Sequence, residues 1–380
     1  MKNNQDKDKE VIGSLIESSL ALASKPNSQV ELITTEDSLV IEEVASIDQL
    51  VKDIVKSKAH LFILEKSKGG KNNIRHTWLG NKVIYCMNHS VYDIINSFPV
   101  HRFNPYVNLF ISNVNNSQVR ERLLTISVYK SNKLRFVSDK FVEQGVEMLN
   151  ELIDSIRLSA KSKEFKTTID NYKRLQRQNE KSVTEYVDAL FKRHSRLLVL
   201  RIDFSYENDN SCLSKSKRSE MYLTVKKDRE HFFSNMRTNA LFDHMVGYMC
   251  KLEYGLMKGF HYHMIFFFDG SERHKDVHIA NEIGAYWKTI TDNRGIYHNC
   301  NAKKESYLHL GVGMINHDET DFIENLKHKV AVYLVKTEYY IKMYTPGNDR
   351  TFFRGEMPKP KIKSGRPRKT QAPTSLPEAL

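Results

Sequence analysis

Residues 251–270 read KLEYGLMKGFHYHMIFFFDG, and the fold turns on this stretch. Two strand-like runs, about Gly247 to Leu256 and Phe260 to Phe268, flank Met257-Lys258-Gly259, where a glycine just before the second run signals a hairpin turn. Side chains alternate along a strand, so His261 and His263 share one face while Phe260 and Tyr262 share the other. Folding the hairpin about Lys258-Gly259 returns Glu253 to a place roughly opposite His261. A carboxylate and two imidazoles then meet as a His/His/Glu site with coordination positions left open for water or a substrate oxygen. The competing reading is a pair of structural histidines. Met264 to Phe268 is apolar on both faces, which suits an inner strand whose beginning alone faces a polar cleft.

The chain has 380 residues, 40% of them hydrophobic and 10% aromatic, enough for two or three cores. Its net charge of +12 is unevenly spread, because residues 1–50 hold ten acidic residues against four lysines. The remainder is strongly basic, which implies a phosphate-rich partner, with a merely solvated basic surface as the alternative. Cys86, Cys212, Cys250 and Cys300 form no C-x-x-C pair and read as reduced thiols rather than a disulfide framework or a zinc ribbon. The charged start MKNNQDKDKE and the lack of a long apolar run imply a cytoplasmic chain without a membrane span.

Residues 1–55 read as an acidic segment with helix-like pieces at Val11 to Ser24 and Ser46 to Lys56, more tail than core. An accessory α+β region is expected over 56–165, with strand-like runs HLFILEK, NKVIYCMN, LLTISVYK and SNKLRFVS. Between them, NNIRHTW and FPVHRFNPYVNLFI mix aromatic and basic residues, suited either to stacking on nucleic acid or to core and rim. A helix is expected from Ser138, and another with Ser182 as N-cap and Glu185 as its capping-box partner.

From Leu197 the pattern changes. LLVLRIDFSY is a strand carrying Arg201 and Asp203 on one face; Asp203 either joins a metal site, as ligand or support, or simply pairs with Arg201. A helix over Ser219 to Asn239, the hairpin, a helix over Lys275 to Thr291 and a strand in SYLHLGVGMI follow, giving β-α-β-β-α-β-α. That is the split arrangement of an antiparallel sheet with helices on one face and the other free for substrate. A last helix is expected from about Asn316 through VYLVKTEYYIK, with Tyr333 and Lys336 on one face and Tyr340 further along it. A phenol beside an ammonium is a candidate nucleophile, against the default of a buried helix tyrosine. Residues 356–380 hold five of the nine prolines and six Lys/Arg, a basic extension in which Ser364-Gly365-Arg366-Pro367-Arg368 resembles the minor-groove AT-hook core.

These motifs together resemble the HUH endonucleases, the superfamily of rolling-circle replication initiators, relaxases and related transposases. LLVLRIDFSY looks like the first motif strand, His261-Tyr262-His263 like the His-hydrophobic-His motif and Tyr333-Leu334-Val335-Lys336 like the tyrosine motif. Within the superfamily, Tyr172 to Arg368 is similar to the inovirus gene-two replication protein and the prophage YagK/YfjJ-type C-terminal domain, through VYLVKTEYYIK, DRTFFRGEMPKPK and GRPRK. The resemblance implies a ferredoxin-like HUH nickase domain, expected over 166–355. It implies a site in which His261, His263 and Glu253 hold Mg²⁺ or Mn²⁺ while Tyr333, aided by Lys336, attacks a single-stranded or hairpin DNA origin. The products would be a 5′-phosphotyrosine and a 3′-OH available to host helicase and polymerase. Arg201, Lys258, Gly365, Arg366, Pro367 and Arg368 are the expected DNA contacts, and Tyr340 the candidate second tyrosine. A DNA-binding regulator that keeps the fold without nicking, a relaxase or transposase, and a phosphodiesterase using bound hydroxide are the alternatives.

Overall fold

The structure, a computed structural model, describes residues 21–24, 30–33, 36–66, 70–91, 94–95, 101–130, 133–207, 215–255, 259–307, 309–336, 341–343 and 349–359. It is a mixed α/β protein with a mostly antiparallel main sheet. No helix among the described residues is long and apolar enough to cross a membrane.

The N-terminal region begins with an antiparallel pair, β1 (Ala21–Ser24) and β2 (Val30–Ile33), and continues into α1 (Glu36–Lys56). Of the two helical pieces expected here, Ser46 to Lys56 is the second half of this helix, which starts earlier, at Glu36; the end of the other, Ala21–Ser24, is a strand, and Val11 to Leu20 lie outside the described residues. Nor is the segment a solvated tail throughout: Val44, Ile47, Leu50, Val51 and Ile54 recur every three or four residues and are fully buried. Buried Asp48 is held by Lys52 and by Asn104 Nδ2 at 2.9 Å.

A ribbon of β3 (Phe62–Lys66) and β4 (Asn72–His76) follows, then α2 (Trp78–Tyr85), whose cap Thr77 accepts from Gly80 N. The run NKVIYCMN is therefore helical, because Val83, Ile84 and Met87 form a helix-period buried stripe that overrides the β-propensity of its residues. After β5 (His101–Phe103) come α3 (Pro105–Ser117), α4 (Val119–Ile126), the pair β6 (Ser127–Lys130) and β7 (Lys133–Phe136), and α5 (Lys140–Lys161). These elements enclose one core running from Val44 to Ile156.

The 31-residue helix α6 (Lys163–Arg193) leads away from this core. Its N-cap is Ser162, accepting from Phe165 N, and Ser182 lies well inside the helix instead of starting one. Ser182 has other work there: its Oγ accepts from Arg354 Nε at 3.1 Å.

The main sheet is built from β8 (Arg196–Tyr206), α7 (Lys215–Asn235), β9 (Met245–Gly255), β10 (Gly259–Asp269), α8 (Asp276–Ile290), β11 (Gly295–Asn299) and β12 (Gly313–Asn316). The chain then runs through α9 (Thr320–Asn325), a π-helical turn Leu326–Ala331, α10 (Tyr333–Lys336), β13 (Ile341–Met343) and β14 (Phe352–Arg354). Strand order is β11-β8-β10-β9-β14, with β12 also on β8. The expected long last helix is shorter than read: Ile341–Met343 is a strand, pairing with β5 of the N-terminal region.

On one sheet face, Leu198, Leu200, Ile202 and Phe204 join Tyr262, Phe266 and Phe268 beneath α7 and α8, where Trp287 stacks on Phe204 with ring centroids 4.7 Å apart. The opposite face was expected to be free and is not. Leu197, Val199, Met249, Ile265 and Phe267 are covered by Val183, Tyr186, Val187 and Leu190 of α6 and by Leu326, Val330 and Leu334. An inner strand that is apolar on both faces must be covered on both. Further along, the same face turns polar, at Arg201, Asp203, Lys251, Glu253, His261 and His263, of which Lys251, His261 and His263 are themselves buried.

Gly311 sets how closely the C-terminal helical segment can approach. A Cβ there would lie 2.7 Å from Leu326 N and 2.9 Å from Leu326 Cα, so Gly311→Ala must push the π-helical turn outward. We expect it to cost about 1–3 kcal/mol, seen as a lowered midpoint in denaturant unfolding; an unchanged midpoint would show the segment to be loosely held.

Candidate metal centre

Gly259 begins β10 with φ +62°, a left-handed conformation that side-chain-bearing residues adopt reluctantly. From there the register is set: Phe260 opposes Tyr254, His261 opposes Glu253 and His263 opposes both Lys251 on β9 and Asp203 on β8. Glu253 Oε2 stands 3.7 Å from His261 Nε2 and 3.3 Å from His263 Nε2. One ligand atom from each residue lies within 4.8 Å of the others.

Whether this cluster suits a cation is decided by the other ring nitrogens. His261 Nδ1 lies 3.0 Å from Gly259 O, and His263 Nδ1 lies 2.7 Å from Asp203 Oδ1. Both neighbours can only accept, so each Nδ1 carries the hydrogen and each Nε2 is turned toward Glu253. Outer-shell partners of this kind orient histidine ligands in metal sites. Nε2 of His263 is buried and closes no hydrogen bond of good geometry among the described residues. The donor set fits a divalent cation with open positions, and two imidazoles with one carboxylate do not by themselves choose among Mg²⁺, Mn²⁺ and Zn²⁺.

The carboxylates beside His263 favour a proton on its ring. Burial would push His263 down, but the adjacent Asp203 and Glu253 carboxylates outweigh it and hold its pKa at about 9. Burial would likewise raise Glu253, yet the two imidazoles beside it keep it well below the usual carboxylate range. The His263 proton adds stability below its ordinary value of 6.5, and that contribution is lost as pH rises through about 9. A cation must displace this proton, so it binds more tightly over the same rise.

Tyr333 reaches the same face. It is buried, and the guanidinium carbon of Arg201 lies 5.7 Å from its ring centroid. Arg201 Nε is 3.8 Å from Asp203 Oδ1, so contacts run from Tyr333 through Arg201 and Asp203 to His263, Glu253 and His261. Burial opposes the charge on Arg201, but Asp203 and its other neighbours more than restore it. Arg201 is thus placed against the tyrosine as well as beside Asp203 at the polar end of the sheet face. Lys336 ends α10 in backbone trace, while its side chain, Lys258, Tyr340 and Gly365, Arg366, Pro367 and Arg368 lie outside what the structure describes.

Four contributors were not read from the sequence. Buried Lys251 donates from Nζ to Thr351 Oγ1 at 3.0 Å, tying the site to the segment before β14. Asn301 accepts from Arg201 N at 2.9 Å and donates to Val199 O, supporting β8 where β11 ends and β12 begins. His101, brought in by β5, lies with its ring 6.1 Å from that of Tyr254, and burial pushes its pKa down to about 4. Thr351, Asn301 and His101 come from distant segments, and only Lys251, alternating with Glu253 on β9, left a trace in the sequence.

A family model described as the YagK/YfjJ C-terminal domain matches residues 158–352, from the end of α5 into β14. The chain belongs to that family. The matched span contains the whole polar end of the sheet face together with Tyr333, and it excludes most of the N-terminal core. No curated protein and no solved structure matches the chain.

By isothermal titration with Mn²⁺, we expect His261→Ala and His263→Ala each to abolish stoichiometric binding. Asp203→Asn should weaken it about 10–100-fold by loosening the orientation of His263, and wild-type affinity should rise with pH toward about 9. Undiminished binding in both histidine variants would remove the site.

Proposed function

We propose that the family domain is a metal-dependent, site-specific DNA endonuclease and strand transferase of the HUH type, acting as a rolling-circle replication initiator of a phage or mobile element. The observation that carries this reading is the shared sheet face. A cluster of Glu253, His261 and His263 and a tyrosine on a following helix are joined through Asp203 and Arg201. The order β11-β8-β10-β9, with α7 and α8 on one face, supports a split, ferredoxin-like reading of the domain.

When bound, Mg²⁺ or Mn²⁺ supplies Lewis-acid polarisation of a phosphate oxygen. The chain's own residues do the rest. Tyr333 gives up its phenolic proton to solvent and its Oη forms a bond to the scissile phosphorus as the bond from phosphorus to O3′ breaks; the departing O3′ takes up a proton from solvent, and the 5′ end stays on the enzyme as a phosphotyrosine. A phenol with a reference pKa near 10 needs a cation to favour its phenolate at neutral pH. Arg201 over the ring offers that charge, with Lys336 as a second source. Asp203 keeps Arg201 and His263 oriented, and the free 3′-OH is suited to extension by host polymerase.

Tyr333→Phe keeps the ring's packing and removes only the attacking oxygen. It should eliminate the covalent adduct between protein and the 5′ side of a cleaved single-stranded oligonucleotide while leaving the melting temperature within a degree or so. Persistence of the adduct would move the nucleophile to another residue. If the wild-type chain with Mn²⁺ forms no adduct on any origin-derived strand, it would be a binder that retains the fold without nicking.

A further inference from the structure

The N-terminal region carries a feature that the site above does not use. Trp78 is 73% exposed and Tyr85 49% exposed, although the opposite side of the same helix, with Val83 and Ile84, is buried. Trp78, Lys82 and Tyr85 are spaced i, i+4 and i+7, so they line one face of α2. Lys82 Nζ lies 5.5 Å from the Trp78 ring centroid. Large aromatic surface left in water on an otherwise packed helix marks a place that a partner covers.

The surroundings narrow the partner. Residues 56–137 contain 13 Lys/Arg and three Asp/Glu. Lys66, Lys71 and Arg75 are exposed on or beside the β3–β4 ribbon that precedes α2. The ribbon is firmly based, since Asn150 Nδ2 of α5 donates to Phe62 O at 2.8 Å and Thr77 caps the helix. A rigid aromatic–cation–aromatic stripe in a strongly basic field is complementary to a polyanion with flat, unpaired faces.

We infer that the face of α2 formed by Trp78, Lys82 and Tyr85, with the adjoining β3–β4 ribbon, binds single-stranded DNA by base stacking on the two rings and phosphate contact with the lysines and Arg75. Duplex DNA keeps its bases stacked on each other and offers these rings nothing. The surface goes beyond the nicking reaction and does not depend on it. It also has a structural route to the other domain, because β5 of the same region pairs with β13, which lies seven residues or fewer beyond α10.

Trp78 and Trp287 are the chain's two tryptophans, and Trp287 is fully buried. Quenching of intrinsic fluorescence by an oligonucleotide therefore reports on Trp78. The titration uses full-length Tyr333→Phe protein in EDTA, so neither metal nor cleavage contributes. An oligo(dT) of about 20 nucleotides should quench the exposed component, with the effect weakened by salt. A duplex of equal length should not. Trp78→Ala should lose the quench and weaken binding of labelled oligo(dT) about tenfold, with an unchanged melting temperature. No quench at saturation, or equal quench by duplex with Trp78→Ala binding undiminished, would overturn the inference. Either result leaves the adduct assay untouched, so the two readings fail separately.

Discussion

The antiparallel register of β9, β10 and β8 is the constraint on which the rest of the domain depends. Its two-residue alternation separates an entirely apolar face, sealed by α7 and α8, from a face that changes character along its length. At one end of the second face Leu197, Val199, Ile265 and Phe267 demand cover and receive it from α6 and the C-terminal helical segment. At the other end the same strands present Arg201, Asp203, Lys251, Glu253, His261 and His263. Slipping the β9–β10 register by one residue would send Glu253 to the opposite face and put an aromatic ring among the histidines. The packing that stabilises the domain and the geometry of the candidate metal centre are therefore consequences of one hydrogen-bonding pattern.

Electrostatics explain why so many ionisable groups tolerate burial together. Carboxylates and cations alternate, Arg201 with Asp203, Asp203 with His263 and His263 with Glu253, so no member is left as an isolated charge in a poorly solvated place. A proton on His263 completes this balance. A divalent cation would supply the same positive charge more strongly, and exchange between the two makes the centre sensitive to pH in a defined direction. Tyr333 borders this network through Arg201 without belonging to the ligand set.

Much of the sheet and the site was legible in the sequence because both rest on short-range rules. Alternation placed His261 and His263 on one face, and the hairpin glycine set Glu253 opposite them. The continuous apolar run of β10 announced an inner strand, yet its second cover was missed, because a helix that packs back from far earlier in the chain (Val183 to Leu190 onto Ile265 and Phe267) and segments from beyond β12 leave no local mark. The same limit hid His101, Thr351 and Asn301. Local propensity also misled: NKVIYCMN looks strand-like, but burial of one helical face decided otherwise, and Ser182 resembles a cap inside a helix already capped at Ser162. The π-helical turn Leu326–Ala331 adds residues per turn just before Tyr333, so a uniform helical wheel carried from α9 through this turn loses its phase before it reaches Tyr333.

The central claim is that Glu253, His261 and His263 form one divalent-metal centre beside Tyr333. Anomalous diffraction from crystals equilibrated with Mn²⁺ tests it most directly. The account predicts a single strong peak within about 2–2.3 Å of Nε2 of both histidines and a Glu253 carboxylate oxygen. A saturating soak that leaves this position empty, or that places the ion on other residues, would contradict it.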